Sequence, residues 1–159
     1  MGRGASYRLP DEPRPGAFTQ IVVHPMWPLL AVMFGGVWLS WPWFVVNAWA
    51  LGSPTRVRET LTVVAGLAGS VALLFGLVTV DEAMELPTAA LKYLFLVLVI
   101  WKIGVSYLLA ELQGRSFEVY TYYGGVARNG LVVAMLGGML LRPQVSDWLG
   151  VGWLSAVLL

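Results

Sequence analysis

A chain of 159 residues that is 58% hydrophobic and only 12% charged, with a mean hydropathy of +0.73, lies outside the balance of a soluble globular domain and reads as an integral membrane protein. Its ten basic and nine acidic residues are scattered singly to a net charge of +1, which provides neither a basic stripe for nucleic acid nor an acidic tail. The lack of cysteine excludes disulfides, thiolate metal sites and thiol nucleophiles, and the single histidine, His24, cannot build a multi-histidine metal centre, so no metal or cofactor is expected.

Residues 1–25 open with "MGRGASYRLPDEPRPGAF", in which three prolines and mixed charge precede any apolar run. This is a polar, proline-rich tail without the apolar centre of a signal peptide, expected to be disordered or to lie along the membrane surface. The remainder, 26–159, reads as a transmembrane helical domain. From Met26 to Leu51 no side chain ionises, and at about 1.5 Å per residue the run exceeds the roughly 30 Å hydrocarbon thickness, which predicts a first span. Trp27 and Trp49 then fall about 33 Å apart along a helix, as anchors at two interfaces would. Pro42, within "WLSWPWF", lacks a backbone donor and clashes with the Trp38 carbonyl, which predicts a kink in mid-span. Trp38, Trp41 and Trp43 crowd that bend, either as packing or as a stacking surface for a ligand. Asn47 is the one amide in an unambiguous apolar run and points to interhelical hydrogen bonding.

"GSPTRVRET" (52–60) reads as a short loop, and Leu61 to Val80 as a second span that Asp81, Glu82 and Glu85 terminate. Those three carboxylates are solvated loop charge or a cation-attracting mouth, and they form no metal motif. Ala68, Ala72 and Gly76 recur every four residues, as small residues do at helix contacts. Pro87 introduces a third span, Ala89 to Ala110, interrupted by Lys92 and Lys102. Lys102 is the residue that asks for an explanation. Its side chain leans toward the helix N-terminus, away from the nearer membrane face, which favours burial with a partner over snorkelling. It would serve as a site for an anion, a coupled proton or a carboxylate, or be satisfied by Asn47 or by Ser106 one turn on.

"ELQGRSFEVYTYYGG" reads as a connector in which Tyr120, Tyr122 and Tyr123 suit the headgroup region. A fourth span follows over about 126–141, ending before Arg142-Pro143, with Gly130, Ala134 and Gly138 as a second small-residue face. Arg128, in its first turn, opposes the helix macrodipole. With Asn129 it meets a lipid phosphate at the interface, or, if the helix starts near Val119, joins Lys102 inside the membrane as part of an anionic site. Residues 148–159, "WLGVGWLSAVLL", would reach only about 18 Å and are expected to form an interfacial or re-entrant helix in preference to a short fifth span.

The expected fold is therefore all-α: a polytopic, four-helix up-and-down transmembrane bundle plus a short C-terminal helix, in a bacterial-type plasma membrane. Basic residues divide nearly evenly between the two sides, so orientation stays open. The spans offer only hydroxyls, one amide and one or two cations, which argues against an enzyme. Three functions remain: a structural or accessory subunit docking other membrane proteins or copies of itself; a small oligomeric channel or transporter with Lys102, Ser106, Asn47, Arg128 and Asn129 in a ligand or ion path; and a protein that binds membrane lipid between its helices.

Overall fold

The computed structural model describes residues 18–84, 87–150 and 152–159; the residue 1–17 tail and Glu85 lie outside this set. The described residues are almost wholly helical, with one isolated parallel bridge between Val23 and Arg128. Two helices are long and apolar enough to cross a membrane, α3 (Arg56–Met84) and α4 (Thr88–Tyr122). They form an antiparallel pair joined at Pro87, whose missing N–H suits a helix start. Gly69 lets the indole of Trp101 lie against α3, its Nε1 donating to the Gly66 carbonyl at 3.1 Å, while Gly66 makes room for Val105 and Trp41. At about 1.5 Å per residue, α4 with its 35 residues is about 52 Å long. The segment expected to be a connector after Ala110 is helical as far as Tyr122, because it holds no proline, its single Gly114 is tolerated, and its inward residues Gln113, Ser116, Phe117 and Tyr120 continue the buried face of α4.

Among the described residues only these two helices are long and apolar enough to cross, so four continuous spanning helices are not seen, and the first apolar run differs most clearly from its expected form. Residues 26–51 are not one helix: α1 (Met26–Phe34) and α2 (Val37–Leu51) fold back on each other at Gly35-Gly36. Ser40 Oγ donates to the Pro28 carbonyl at 2.7 Å, and Asn47 binds both backbone polar groups of Val23. In a straight helix Pro28 and Ser40 would be about 18 Å apart. The reversal falls at Gly36, with φ of 93°, rather than at Pro42, through which α2 runs. A left-handed φ is open to glycine at no steric cost, whereas proline removes only one helical bond. Trp27 and Trp43 accordingly both pack against Gly130, so Trp27 and Trp49 are not anchors at opposite ends of a rod. α2 ends in a Schellman turn, with Gly52 left-handed (φ 63°) and Ser53 N–H bonded to the Ala48 carbonyl at 3.0 Å.

The fourth run also differs. α5 (Leu131–Leu136), a π-helical turn (Gly137–Leu141) and α6 (Arg142–Leu149) follow without interruption, so the helix does not stop before Arg142-Pro143. The wider π-turn immediately before Pro143 accommodates a residue that has no N–H to give to the preceding turn. The chain then reverses at Gly150 (φ 67°), and α7 (Trp153–Leu158) returns to meet the hairpin tip, where Leu158 and Leu159 sit against Gly36.

A Cβ on Gly36 would lie 2.6 Å from the Leu158 carbonyl oxygen, besides forcing the left-handed backbone on a residue that resists it. Gly36→Ala is expected to cost about 1–3 kcal/mol and to lower the thermal midpoint in detergent, whereas Gly76→Ala, inside α3 with nothing within 4 Å, should not lower it.

Candidate functional site

The inner face of α4 is a ladder in which Leu98, Lys102, Val105, Ser106, Leu109, Gln113, Ser116 and Phe117 are buried at three- and four-residue spacing. Tyr93, Ile100 and Tyr107 on the outer face are exposed. Around the middle of α4 the inward face thus carries polar as well as apolar groups and the outward face large apolar ones, whereas Lys92, Glu111, Arg115 and Glu118 nearer its ends are exposed.

Each inward polar group joins a particular element to α4. Ser106 Oγ donates to the Lys102 carbonyl (2.9 Å) and accepts from Trp41 Nε1 (2.8 Å), which fixes α2 at that level. Higher up, Gln113 Nε2 donates to the Phe44 carbonyl at 2.6 Å, while its Oε1 accepts from Asn47 Nδ2 at 3.0 Å. These registers set α2 parallel to α4, with its tip near Lys102 and its base near Phe117 and Tyr120, where Val22, Ala50 and Leu51 close a small apolar cluster. The hairpin thus reaches only partway along the α3–α4 pair.

Lys102 is buried at 6% exposure, and its Nζ donates to the Ala156 carbonyl at 2.6 Å. Ala156 lies in the last turn of α7, where helical carbonyls have no partner of their own and carry the negative end of the helix dipole. Arg142 does the same for the hairpin: its Nη1 donates to the Phe34 carbonyl, at the end of α1, at 3.3 Å. Two short helices, α1 and α7, therefore end close together, where the buried Lys102 meets one end and the exposed Arg142 the other.

Both cations line a cavity of about 410 Å³ between α1, α4, α6 and α7. Its other walls are Val32, Met33, Phe95, Leu98, Val99, Ile103, Ser155, Ala156 and Leu159, and among the described residues no aspartate or glutamate side chain lines it. Several of these walls, Met33, Phe95 and Val99 among them, are exposed, so the cavity opens sideways. An ammonium has three donors and a guanidinium five, of which each gives one to a helix end here. The arrangement can hold an anionic group with an apolar body beside it.

Of the residues that sequence spacing assigned to one path, the structure brings together only Lys102 and Ser106. Asn47 is three turns along α4, clamping Val23 to Gln113. Arg128 lies in the loop before α5, its Nε bonded to the Gln20 carbonyl and its N–H to the Val22 carbonyl, and Asn129 Oδ1 accepts from Leu131 N–H. That loop is beside Tyr120 at the hairpin base, far from Lys102. Gly130, Ala134 and Gly138 are buried, with Gly130 against Trp27 and Trp43 and Gly138 against Phe34. Ala68, Ala72 and Gly76 lie on the exposed face of α3, whose buried stripe is instead Glu59, Val63, Gly66, Ser70 and Leu74. Gln113 and Glu59 are not singled out by sequence reading, although the spacings 102, 106, 113, 116 and 59, 63, 66, 70 carry their signal, and Arg142 reads there only as the end of a span. Among the described residues no group of histidine and carboxylate side chains is placed to hold a metal. No family model matches the chain, and no curated protein or solved structure matches it.

Proposed function

We propose that this is an integral membrane protein that binds an anionic amphiphile, such as an acidic phospholipid, in the lateral cavity at Lys102 and Arg142. In this reading α3 and α4 cross the bilayer, while the α1–α2 hairpin enters from the side of Tyr120 and α7 from the opposite side. The outward apolar faces of α3 and α4 support this, as does the burial of the Gly35-Gly36 turn, since irregular backbone at membrane depth is tolerated only inside protein or beside a polar cavity. The observation that carries the proposal is the pairing of two cations in one apolar-walled, laterally open cavity. A phosphate would satisfy the remaining donors and acyl chains would cover Met33, Phe95 and Val99.

Native mass spectrometry after reconstitution with phosphatidylglycerol or phosphatidylcholine tests it. Wild type should retain the anionic lipid selectively, and Arg142→Gln, which keeps an amide donor for the Phe34 carbonyl but loses the charge, should weaken retention about tenfold, equivalent to about 1.4 kcal/mol. Equal retention of both lipids, or selectivity unchanged in Arg142→Gln, would remove this function.

A second reading, a structural or accessory subunit, draws on the outward stripe of Ala68, Ala72 and Gly76, where another membrane helix could approach α3 closely. Ala72→Leu should then abolish an association seen by cross-linking in membranes and leave lipid selectivity intact.

A further inference from the structure

We propose that Glu59 and the hydroxyls of Ser53, Thr55 and Ser116 bind a dehydrated monovalent cation of sodium size at the joint between the hairpin, α3 and α4. Glu59, in the first turn of α3, is completely buried. Its Oε1 accepts from Ser53 Oγ and Thr55 Oγ1, both at 2.7 Å, and Ser53 Oγ is 3.0 Å from Ser116 Oγ on α4. Among the described residues no hydrogen-bond partner reaches its Oε2. Neither donor to the carboxylate is charged, and the adjacent arginines point elsewhere: Arg56 and Arg58 are exposed, with the Arg56 guanidinium stacked on Trp49 at 4.5 Å. A carboxylate taken wholly out of water with one oxygen unsatisfied needs a positive counterpart.

The donor set selects what that counterpart is. Every available ligand is oxygen, which disfavours transition metals that prefer nitrogen or sulfur. There is one carboxylate, so a divalent ion would leave a buried positive charge, whereas a monovalent ion gives neutrality; calcium sites ordinarily gather several carboxylates and carbonyls. A hydroxyl that donates to Oε1 still has lone pairs to offer an ion, so Ser53 and Thr55 can keep their bonds to the carboxylate. Because the ligands come from the α2–α3 turn, α3 and α4, the ion ties all three and binds the folded protein alone, so its concentration sets the stability. This inference is independent of the lipid cavity.

Thermal unfolding of the full chain in detergent, in NaCl against choline chloride at constant ionic strength and pH, tests it, together with equilibrium binding of radiolabelled sodium. The midpoint should rise with sodium and saturate, and labelled sodium should bind at one site per chain. Ser116→Ala should raise the half-saturating concentration about tenfold. Glu59→Gln should abolish both effects. The proposal fails if wild type binds no sodium saturably, if its midpoint is the same in both salts, or if it responds to pH but not to sodium, which would assign a proton to Oε2. Sodium binding by wild type is decisive even if Glu59→Gln does not fold.

Discussion

Replacing Asn47 with leucine should unseat the hairpin and lower stability by on the order of 4 kcal/mol, the largest loss expected from one side chain in this protein. Asn47 accepts from Val23 N–H at 2.9 Å and donates to the Val23 carbonyl and to Gln113, so leucine orphans two buried backbone groups and one amide oxygen together. Leucine is also close in volume, so lost packing contributes little. The measurement is denaturant or thermal unfolding in one detergent, with Val46→Leu, an exposed position on the same helix, as control. An unchanged midpoint for Asn47→Leu would mean that the clamp does not hold the hairpin.

Gln20 and Arg58 should be labelled from the same side of a sealed membrane when each is replaced by cysteine, and Glu82 from the other. This outcome is all-or-none. The chain contains no cysteine, so single substitutions report without background. The three positions are exposed. Gln20 lies at the hairpin base, where its carbonyl receives Arg128, and Arg58 is one turn past the Ser53–Ser116 contact, whereas Glu82 is at the far end of α3. With a membrane-impermeant maleimide and inside-out or right-side-out vesicles, a re-entrant hairpin gives parallel labelling of Gln20→Cys and Arg58→Cys. One continuous crossing over 26–51 would give opposite labelling of that pair.

What sequence reading could reach was set by how local each cause is. The 20-residue uncharged run of α3 and the apolar start of α4 identify themselves, since length and lack of charge are local properties. The hairpin does not, because a 26-residue apolar run reads the same whether straight or folded; only Gly35-Gly36 marks the reversal, and a glycine pair is common in apolar helices. The continuation of α4 was obscured by polar residues, Gln113 and Ser116, that look like loop composition until they are placed on one face with Lys102 and Ser106. For Lys102, burial was legible from the direction of its side chain, but its partner was not. A backbone carbonyl 54 residues away carries no residue-type signature, and no side-chain inventory could have nominated Ala156. Arg142 was assigned to a helix terminus because proline follows it.

The π-turn at Gly137–Leu141 bears on how Arg142 reaches its place. Successive residues of an α-helix advance by about 100°, so a local widening that absorbs extra chain changes the azimuth of everything downstream. Had the same residues kept regular α-geometry, the guanidinium would point about a quarter of a revolution away from the Phe34 carbonyl, whereas removing one residue here would restore the α-geometry and nearly preserve its direction. The widening thus acts as a phase adjustment that absorbs one residue locally, and a further insertion there should be tolerated by α5 yet misdirect the cation beyond it.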